Sequence, residues 1–414
     1  MRQQISSVCV VGLGYIGLPT AAMLASRGLA VIGVDTKPST LGAVANGETP
    51  FVEPDLAELV RRAVAAGSLT VAAVPAPADA FVIAVPTPVN ADRSPDLSHV
   101  FAAVDSICPV LRPGALVVLE STSPPGTTAR VAQRIAERRP DLAAPGGDMA
   151  VEIAYCPERV LPGRVVHELR FNDRIVGGLT PRAASRAGVL YRTFCEGEIM
   201  PTDAVTAEMA KLVENAFRDV NIAFANELSV VCENLGVDVR ELIALANHHP
   251  RVSILSPGPG VGGHCIAVDP WFIAAADPAS TRLIQCARRV NDSMPAWVGA
   301  RVEAALAETQ APTVVALGLA FKANIDDLRQ SPAREVVARL AQAHPDGVIR
   351  VVEPHVSALP AELAARSNVE LVSFETAFAG ADAVVLLVDH DAFRTRPPDL
   401  APDIPVIDTR GLWR

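Results

Sequence analysis

A glycine-rich turn near the start of the chain constrains the fold more than any other feature. A short apolar run is followed by GLGYIG (12–17) and then by a helical pattern. In a strand–turn–helix unit, Gly12 permits the tight turn, Gly14 lets a pyrophosphate approach the backbone, and Gly17 lets the helix pack on the strand. Asp35 ends the next apolar run, where a carboxylate accepts from ribose hydroxyls. The pattern predicts a dinucleotide-binding domain; the alternative is a plain turn between a strand and a helix.

Asp35 also bears on which dinucleotide binds. A 2′-phosphate about 4 Å from this carboxylate would be repelled by about 4 kcal/mol at an effective dielectric constant of about 20. Lys37, two residues further on, would soften that repulsion if it faced the phosphate, although a solvated surface charge is the simpler interpretation. The sequence therefore favours NAD over NADP.

Apolar runs and helical patterns alternate over most of the chain. The first six strand-like runs are at 8–12, 30–35, 80–86, 115–120, 151–156 and 174–178. We predict an α/β protein with two Rossmann-like, doubly wound parallel-sheet domains, joined by a central helical domain with a long spine helix that ends at Gly236. The expected boundaries are 1–200 for NAD binding, 201–305 for the central domain with dimerisation and a cysteine loop, and 306–414 for the second α/β domain.

Charge and composition exclude several classes of protein. The net charge of −10 and the lack of any basic run argue against nucleic-acid binding. The chain has no apolar stretch of membrane-spanning length and no signal peptide, so we expect a cytoplasmic protein that does not enter membranes. Seven cysteines occur without a C-x-x-C pair, which predicts neither a disulfide framework nor a metal site.

A second glycine-rich loop, GPGVGGHC (258–265), ends in a cysteine. Its backbone can fold closely around a ligand, and backbone amides before Cys265 can stabilise the oxyanion of a thiol adduct. A buried cysteine beside a structural turn is the alternative. His264 is expected to point away from Cys265, because neighbouring side chains on an extended segment do so. We assign His264 no role as a base.

The predicted spine helix carries three polar residues on one face. Lys211, Asn215 and Arg218 have the spacing i, i+4 and i+7, and together they can polarise a reacting oxygen and hold a phosphate. A solvated polar stripe is the alternative. The interleaved Leu212 and Phe217 favour a buried helix, in which idle polar groups are costly.

Three loops complete the candidate site. Ligands of open α/β sheets bind beyond the carboxyl ends of the strands, where Thr87 and Thr122 are expected to face a cofactor. Glu158 and Arg159, in a proline-flanked loop, are candidates to face a substrate. Each loop alone is also compatible with a simple turn.

These motifs together resemble those of the UDP-glucose/GDP-mannose dehydrogenase family over essentially the whole chain. The segments that carry the resemblance are, in order, GLGYIGLP, AVPTP, ESTSPPGT, YCPERVLPG, KLVENAFRDVNIAFANELS, GPGVGGHC and GLAFKANIDDLRQSP. The common order of several separate motifs argues against chance agreement. Within the family, the segments PERVLPG and HPRVSILSPGPGVGGHC are most similar to those of the UDP-N-acetyl-D-mannosamine dehydrogenases.

The resemblance implies a UDP-N-acetyl-D-mannosamine 6-dehydrogenase, which uses two NAD per turnover to oxidise the C6 alcohol to the carboxylate of UDP-N-acetylmannosaminuronate. Cys265 would trap the intermediate aldehyde as a thiohemiacetal that becomes a thioester. Lys211 would favour the thiolate and steady the oxyanion, and Asn215 would hold the same oxygen. Thr122 and Asp269 would place or activate water. The implied setting is biosynthesis of a surface polysaccharide.

Further residues are implied by the same resemblance. The expected cofactor contacts are Gly12, Gly14, Tyr15, Ile16, Gly17, Asp35, Thr87, Thr122 and Arg329. The expected contacts to the UDP-sugar are Glu158, Arg159, Val160, Lys211, Asn215, Arg218, His249, Arg251, Gly262 and Lys322. Arg251 would reach the site of a neighbouring subunit, which implies a homodimer.

The sequence departs from the family pattern at a few positions, and four alternative functions remain. Glucose-type relatives carry a glutamate near Pro162, so the group that activates water stays open. Ala323 and Gln330 stand where proline and glutamate are usual, and we expect little effect. UDP-N-acetylglucosamine and UDP-glucose 6-dehydrogenases are alternative activities. A single-step 3-hydroxyacid dehydrogenase is another alternative, and it would need no catalytic cysteine. A non-catalytic NAD-binding protein is the last alternative, and replacement of Cys265 would remove no activity from it.

Overall fold

The computed structural model describes residues 5–90, 92–143, 149–161, 163–395 and 400–413. These residues form two compact units, which divide between Val213 and Glu214. Pro162, at which the sequence departs from the glucose-type pattern, lies outside the described residues. No helix within the described residues is long and apolar enough to span a bilayer.

The first unit contains an eight-stranded sheet in the order β3-β2-β1-β4-β5-β6-β7-β8. Its strands are β1 (Ser7–Val11), β2 (Ala30–Val34), β3 (Leu69–Ala72), β4 (Ala80–Ile83), β5 (Leu116–Leu119), β6 (Glu152–Tyr155), β7 (Arg174–Gly178) and β8 (Ile199–Asp203). The first six strands have the order of a dinucleotide-binding fold, which confirms the predicted doubly wound sheet. One pair of strands is not parallel: β7 runs antiparallel to β6. An antiparallel strand can return beside its neighbour without a crossover connection.

Helices cover the sheet of the first unit. They are α1 (Gly17–Ser26), α2 (Pro38–Ala45), α3 (Leu56–Ala65), α4 (Ser98–Ile107), α5 (Thr127–Arg138), α6 (Val165–Phe171) and α7 (Pro181–Tyr191). Along β1, Val8 and Val10 pack into one apolar cluster, whereas Cys9 and Val11 pack into another. Both faces of the strand are therefore buried, which explains why its sequence is a continuous apolar run.

Helix α8 (Ala204–Leu235) is the predicted spine helix, with 32 residues. It ends at Gly236, whose φ of +68° is left-handed. The N–H of Val237 donates to the carbonyl of Cys232 at 2.9 Å, which closes the last turn. The predicted glycine C-cap is thus confirmed.

The second unit combines helices with a five-stranded sheet in the order β11-β10-β9-β12-β13, in which every pair is parallel. The remaining helices are α9 (Val239–Asn247), α10 (Asp269–Ala276), α11 (Arg282–Ala305), α12 (Pro332–Ala343) and α13 (Ala361–Ala364). The strands are β9 (Thr313–Leu317), β10 (Val348–Val352), β11 (Val369–Leu371), β12 (Ala383–Leu386) and β13 (Val406–Asp408). The second Rossmann-like sheet is confirmed.

Candidate active site

The first glycine loop lies between β1 and α1. Gly12 has a φ of +95°, and a Cβ there would overlap the carbonyl of Ala84. A Cβ on Gly17 would overlap the carbonyl oxygen of Gly12, so both glycines are required by packing. At Gly14 nothing lies within 4 Å of the position of a Cβ. This open space beside the backbone, just before the N-terminus of α1, is what a pyrophosphate needs.

Asp35 directly follows β2 and braces the glycine loop. Its carboxylate accepts from the N–H of Leu13 at 2.9 Å and from the N–H of Lys37 at 2.8 Å, through different oxygens. A carboxylate offers about four acceptor positions, so both oxygens can also accept from ribose hydroxyls. These residues fit the adenosine half of a dinucleotide. Asp35 therefore shapes the loop, and its charge lies where the sequence predicts the ribose.

Two more predicted cofactor contacts lie at the same loop. Tyr15 is 45% exposed, and its ring stacks on that of Phe51 with 4.3 Å between centroids. Ile16 is the residue before α1 and is half-buried. The exposed ring of Tyr15 is available to a ligand that lies on the loop.

Thr87 and Thr122 lie together beyond the neighbouring strands β4 and β5. The hydroxyl of Thr87 donates to the carbonyl of Thr122 at 2.6 Å. Ser121 ties the same two loops, because its hydroxyl donates to the carbonyl of Val85 at 2.7 Å and accepts from the N–H of Val85 at 2.9 Å. The structure thus brings both predicted threonines to the carboxyl edge of the sheet.

A buried polar network, which sequence reasoning missed, lies behind these loops. Tyr191 donates to Glu120 at 2.7 Å, and the guanidinium of Arg174 lies 4.8 Å from the centroid of the Tyr191 ring. Arg174 forms an ion pair with Glu158 at 2.9 Å. Burial raises the pKa of Glu120 to about 7, although Arg174 opposes the shift. The one sequence signal was Arg174 itself, a charged residue at the start of a buried strand.

This network places the predicted substrate loop after β6. One oxygen of Glu158 pairs with Arg174, and the other accepts from the N–H of Arg159 at 2.8 Å. Glu158 is therefore occupied inside the protein, which favours a supporting role over direct contact with a sugar. The guanidinium of Arg159 donates to the carbonyl of Asp173, and Val160 packs against the core of this unit. Lys211, the predicted catalytic lysine on α8, is buried, with 6% of its surface exposed.

Three of the predicted catalytic residues come together in the second unit. Cys265 is exposed, and its carbonyl accepts from the N–H of Asp269 at 2.9 Å, where α10 begins. Asp269 is 1% exposed, and it accepts from the side-chain amide of Asn215 at 2.6 Å. The alternative of a buried structural cysteine is wrong for Cys265. The exposed Cys265 thus lies one helical turn before Asp269, whose buried carboxylate is held by Asn215.

Buried amides hold the start of the cysteine-bearing loop. The N–H of Gly258 donates to Asn226 at 2.9 Å, and Asn226 donates to Asn291 at 2.9 Å. Asn291 in turn donates to Asp219 at 2.8 Å. All three polar side chains are at most 1% exposed. Helices α8 and α11 therefore fix the loop through hydrogen bonds that no sequence pattern revealed.

The glycines of this loop pack on a segment of the last domain. Gly263 has a φ of +83°, and a Cβ there would lie 2.8 Å from the ring of Phe321. A Cβ on Gly262 would overlap the carbonyl of Gln330 and lie 2.7 Å from Pro332. Gly262 is therefore needed for close packing, whatever it contributes to substrate binding.

A pocket with two basic side chains lies beside the cysteine-bearing loop. It is lined by Pro259, Gly260, Ala320, Phe321, Lys322, Ser331, Pro332, Ala333, Leu387, Val388, Asp389 and Arg410. Arg410 donates to Asp389 at 2.9 Å. Lys322 was predicted as a substrate contact, whereas Arg410 was missed because a single arginine in a strand-end turn carries no distinctive signal. Two cations and glycine backbone suit a diphosphate.

Four further predicted contacts are exposed. The side chains of His249 and Arg251 lie 3.5 Å apart, and Arg218 is exposed on α8. Arg329 makes a two-point ion pair with Asp327 at 2.6 and 2.8 Å.

Phe217 corrects the expectation of a buried helix. Leu212 is fully buried, but Phe217 is 65% exposed, because it lies on the outer face of α8. The spine helix is therefore buried along one side only.

Comparison with known proteins decides the family. The NAD binding domain of the UDP-glucose/GDP-mannose dehydrogenase family matches residues 6–195, the central domain matches 205–293, and the UDP binding domain matches 315–414. The chain belongs to the UDP-glucose/GDP-mannose dehydrogenase family. It is an oxidoreductase that uses NAD, as predicted.

Individual relatives match this chain over nearly their full length. The chain is 55% identical to the NDP-N-acetyl-D-galactosaminuronic acid dehydrogenase of Ralstonia nicotianae, over 98% of this chain and 96% of the relative. It is 52% identical to the UDP-N-acetyl-D-mannosamine dehydrogenase of Escherichia coli, over 99% of both. Among solved structures, the UDP-D-ManNAc dehydrogenase of Pyrococcus horikoshii superimposes with a TM-score of 0.88 at 37% identity, over 99% of this chain and 96% of that one. The predicted family and enzyme class are confirmed.

Proposed function

We propose that the chain oxidises the C6 alcohol of UDP-N-acetyl-D-mannosamine to a carboxylate and uses Cys265 as the covalent nucleophile. The observation that carries the proposal is the exposed Cys265 at the end of the glycine loop, one turn before the buried Asp269 that Asn215 holds. Four electrons leave the alcohol as two hydrides, and bound NAD supplies the acceptor for each. One water provides the second oxygen of the product.

Cys265 explains how both oxidations occur at one site. Its thiolate adds to the carbonyl carbon of the aldehyde from the first oxidation and forms a thiohemiacetal. Loss of the second hydride leaves a thioester on the same sulfur. Water then adds to the thioester carbon, and the thiolate departs as the acid forms. The aldehyde is never released.

Neighbouring residues supply charge and hydrogen bonds. Asn215 uses one amide hydrogen on Asp269, so its second can donate to an oxyanion on the substrate. We assign Lys211, which is buried on the same helix, to stabilising the thiolate form of Cys265 through its positive charge. We assign Asp269 and Thr122 to the placement of water.

The pocket beside the cysteine-bearing loop is the proposed site for the diphosphate. Lys322 and Arg410 both line it, and Asp389 orients the guanidinium of Arg410. Lys322→Ala and Arg410→Ala should each raise the KM for the nucleotide sugar more than they lower kcat.

The proposed domains follow the predicted boundaries: NAD binding in 1–200, the cysteine loop and dimerisation in 201–305, and UDP-sugar binding in 306–414. The three family matches support this division.

All seven cysteines are free thiols, which is typical of a reducing compartment and supports a cytoplasmic location. Production of an acidic sugar donor for a surface polysaccharide is the proposed role.

We also propose a homodimer through α8. An apolar stripe on this helix consists of Phe217, Phe224, Val231 and Leu235, which are 65%, 51%, 45% and 71% exposed. The spacings of seven, seven and four residues keep the stripe on one face, as in helices that pair with a second copy. Phe224→Glu should yield a monomer in sedimentation, whereas Val189→Glu, a control at an exposed valine of α7, should stay dimeric.

A panel of nucleotide sugars tests the function. Purified protein and NAD are given UDP-N-acetylmannosamine, UDP-N-acetylglucosamine, UDP-N-acetylgalactosamine or UDP-glucose, and NADH is counted per sugar consumed. We expect the best kcat/KM with UDP-N-acetylmannosamine, and two NADH. The relative from Ralstonia nicotianae favours a galactosamine-type sugar as the second candidate. Best turnover with any other sugar would overturn the sugar assignment, and one NADH per sugar would overturn the reaction.

A further inference from the structure

The loop that carries Lys322 is anchored at both ends by two buried side chains. At its start, the N–H groups of Leu319 and Ala320 donate to the same oxygen of Glu353, at 2.7 and 3.0 Å. At its end, the N–H of Asn324 donates to Nδ1 of His390 at 2.9 Å. Phe321 and Lys322 lie between these anchors.

The two anchors also contact each other. Nε2 of His390 lies 3.1 Å from the Glu353 oxygen that holds the start of the loop. His390 is fully buried and Glu353 is 4% exposed. Burial alone would raise the pKa of Glu353, but the hydrogen bonds from His390 and the loop N–H groups outweigh it and hold this pKa below its ordinary value.

The geometry fixes the tautomer of His390. A backbone N–H can only donate, so Nδ1 of His390 must present a lone pair to Asn324. The ring proton therefore lies on Nε2 and is donated to Glu353. The neighbouring rings are His355, with 4.9 Å between centroids, and Phe393, at 5.4 Å. His390 thus uses both nitrogens, one on each anchor.

The end of the loop is a backbone conformation that needs support. Asn324 has a φ of +61°, in the left-handed region. Its side chain accepts from the N–H of Asp391 at 2.9 Å and donates to the Asp391 carboxylate at 2.9 Å. His390 and Asp391 together hold this turn, so loss of the His390 contact should release the end of the loop.

We propose that Glu353 and His390 are positioning residues that hold the loop 319–324 in the shape that presents Lys322 to the diphosphate of the nucleotide sugar. The inference rests on the proposed function, in which Lys322 and Arg410 bind that diphosphate. Neither Glu353 nor His390 lines the pocket, whereas Ala320, Phe321 and Lys322 do. Their effect on binding therefore passes through the loop backbone.

Two substitutions at one position separate positioning from simple packing. In His390→Asn the amide oxygen can take the place of Nδ1 and still accept from Asn324. In His390→Gln the amide nitrogen can take the place of Nε2 and still donate to Glu353, but the N–H of Asn324 loses its acceptor. His344→Asn, at a histidine just after α12, is the matched control.

The measurements are the affinity for UDP by calorimetry, the split of KM and kcat, and hydrogen exchange of the loop amides. For His390→Gln we expect the Kd for UDP to rise about tenfold, since the partly buried N–H of Asn324 loses its acceptor and the end of the loop is released. The KM should rise with it, kcat should stay near that of the wild type, and Asn324 should lose protection while Leu319 keeps it. His390→Asn and His344→Asn should bind UDP like the wild type.

Three results would overturn the inference. His390→Gln could bind UDP as the wild type does, His390→Asn could be as weak as His390→Gln, or Lys322→Ala could leave UDP affinity unchanged. If Lys322→Ala left UDP affinity unchanged but the wild type still oxidised a nucleotide sugar, the proposed function would stand and only this inference would fail. If the wild type oxidised no nucleotide sugar, the proposed function would fail, and the UDP affinities of the His390 variants would still decide the positioning.

Discussion

The carboxyl group of Glu120 allows a quantitative test of the network behind the cofactor loops. Glu120 is 2% exposed, and burial raises its pKa from 4.5 to about 7, while Arg174 and the hydroxyl of Tyr191 oppose the shift. We predict that the stability of the first unit falls with rising pH and that Glu120→Gln removes this dependence. The amide of glutamine fills the same space without titrating.

The sign follows from the two pKa values. The folded state keeps the proton on Glu120 up to about pH 7, whereas the unfolded state releases it near pH 4.5. The stabilisation is therefore complete below pH 4.5 and is lost as the pH rises through about 7. The difference between these pKa values corresponds to about 3 kcal/mol, most of which is lost between about pH 5 and pH 8.

Hydrogen exchange of the amides in β5, next to Glu120, is the appropriate assay. All three tryptophans lie at positions 271, 297 and 413, in the other unit, so their fluorescence would not report on this sheet. The free energy of opening, corrected for intrinsic exchange rates, should fall by about 3 kcal/mol more in the wild type than in Glu120→Gln over this range.

Tyr191→Phe is a control that tests the direction in which the pKa of Glu120 shifts. Its hydroxyl stabilises the ionised carboxyl of Glu120, so its removal should move the transition to higher pH. Parallel pH profiles for the wild type and Glu120→Gln would refute the reasoning, because they would show that Glu120 carries the same protonation in the folded and unfolded states across this range.

Two further predictions concern the loops. Asp35→Asn should raise the ratio of kcat/KM for NADP to that for NAD by at least tenfold, because the repulsion of a 2′-phosphate is removed; an unchanged ratio would show that Asp35 does not face the ribose. Asn226→Ala should destabilise the second unit by about 2 kcal/mol, because the N–H of Gly258 is left buried without an acceptor; this is measured by urea denaturation followed through tryptophan fluorescence, and an unchanged midpoint would contradict it.

The regular elements could be predicted because their patterns are local. Apolar runs bounded by turns predicted eleven of the thirteen strands that the described residues form. The length of α8 and its glycine cap followed from one uninterrupted helical pattern. Strands β3 and β8 were missed. Both lie at edges of the sheet, and β8 contains Pro201 and alternates in burial, so neither has a continuous apolar run.

The contacts that organise the site could not be predicted, because they join residues far apart in sequence. Glu120 and Tyr191 are 71 residues apart, and Glu353 and His390 are 37 apart. A buried carboxyl group looks the same in the sequence as an exposed one until its partners are known. For the same reason, the sequence did not show that the carboxylate of Glu158, a predicted substrate contact, is paired with Arg174.

The central claim is that one thiol carries the substrate through both oxidations. The most direct measurement is NADH formed per nucleotide sugar consumed, with the product identified, for the wild type, Cys265→Ser and Cys286→Ser; both cysteines are exposed. We predict two NADH and the acid for the wild type and Cys286→Ser, and no acid from Cys265→Ser. Formation of the acid by Cys265→Ser at the rate of the wild type would contradict the account.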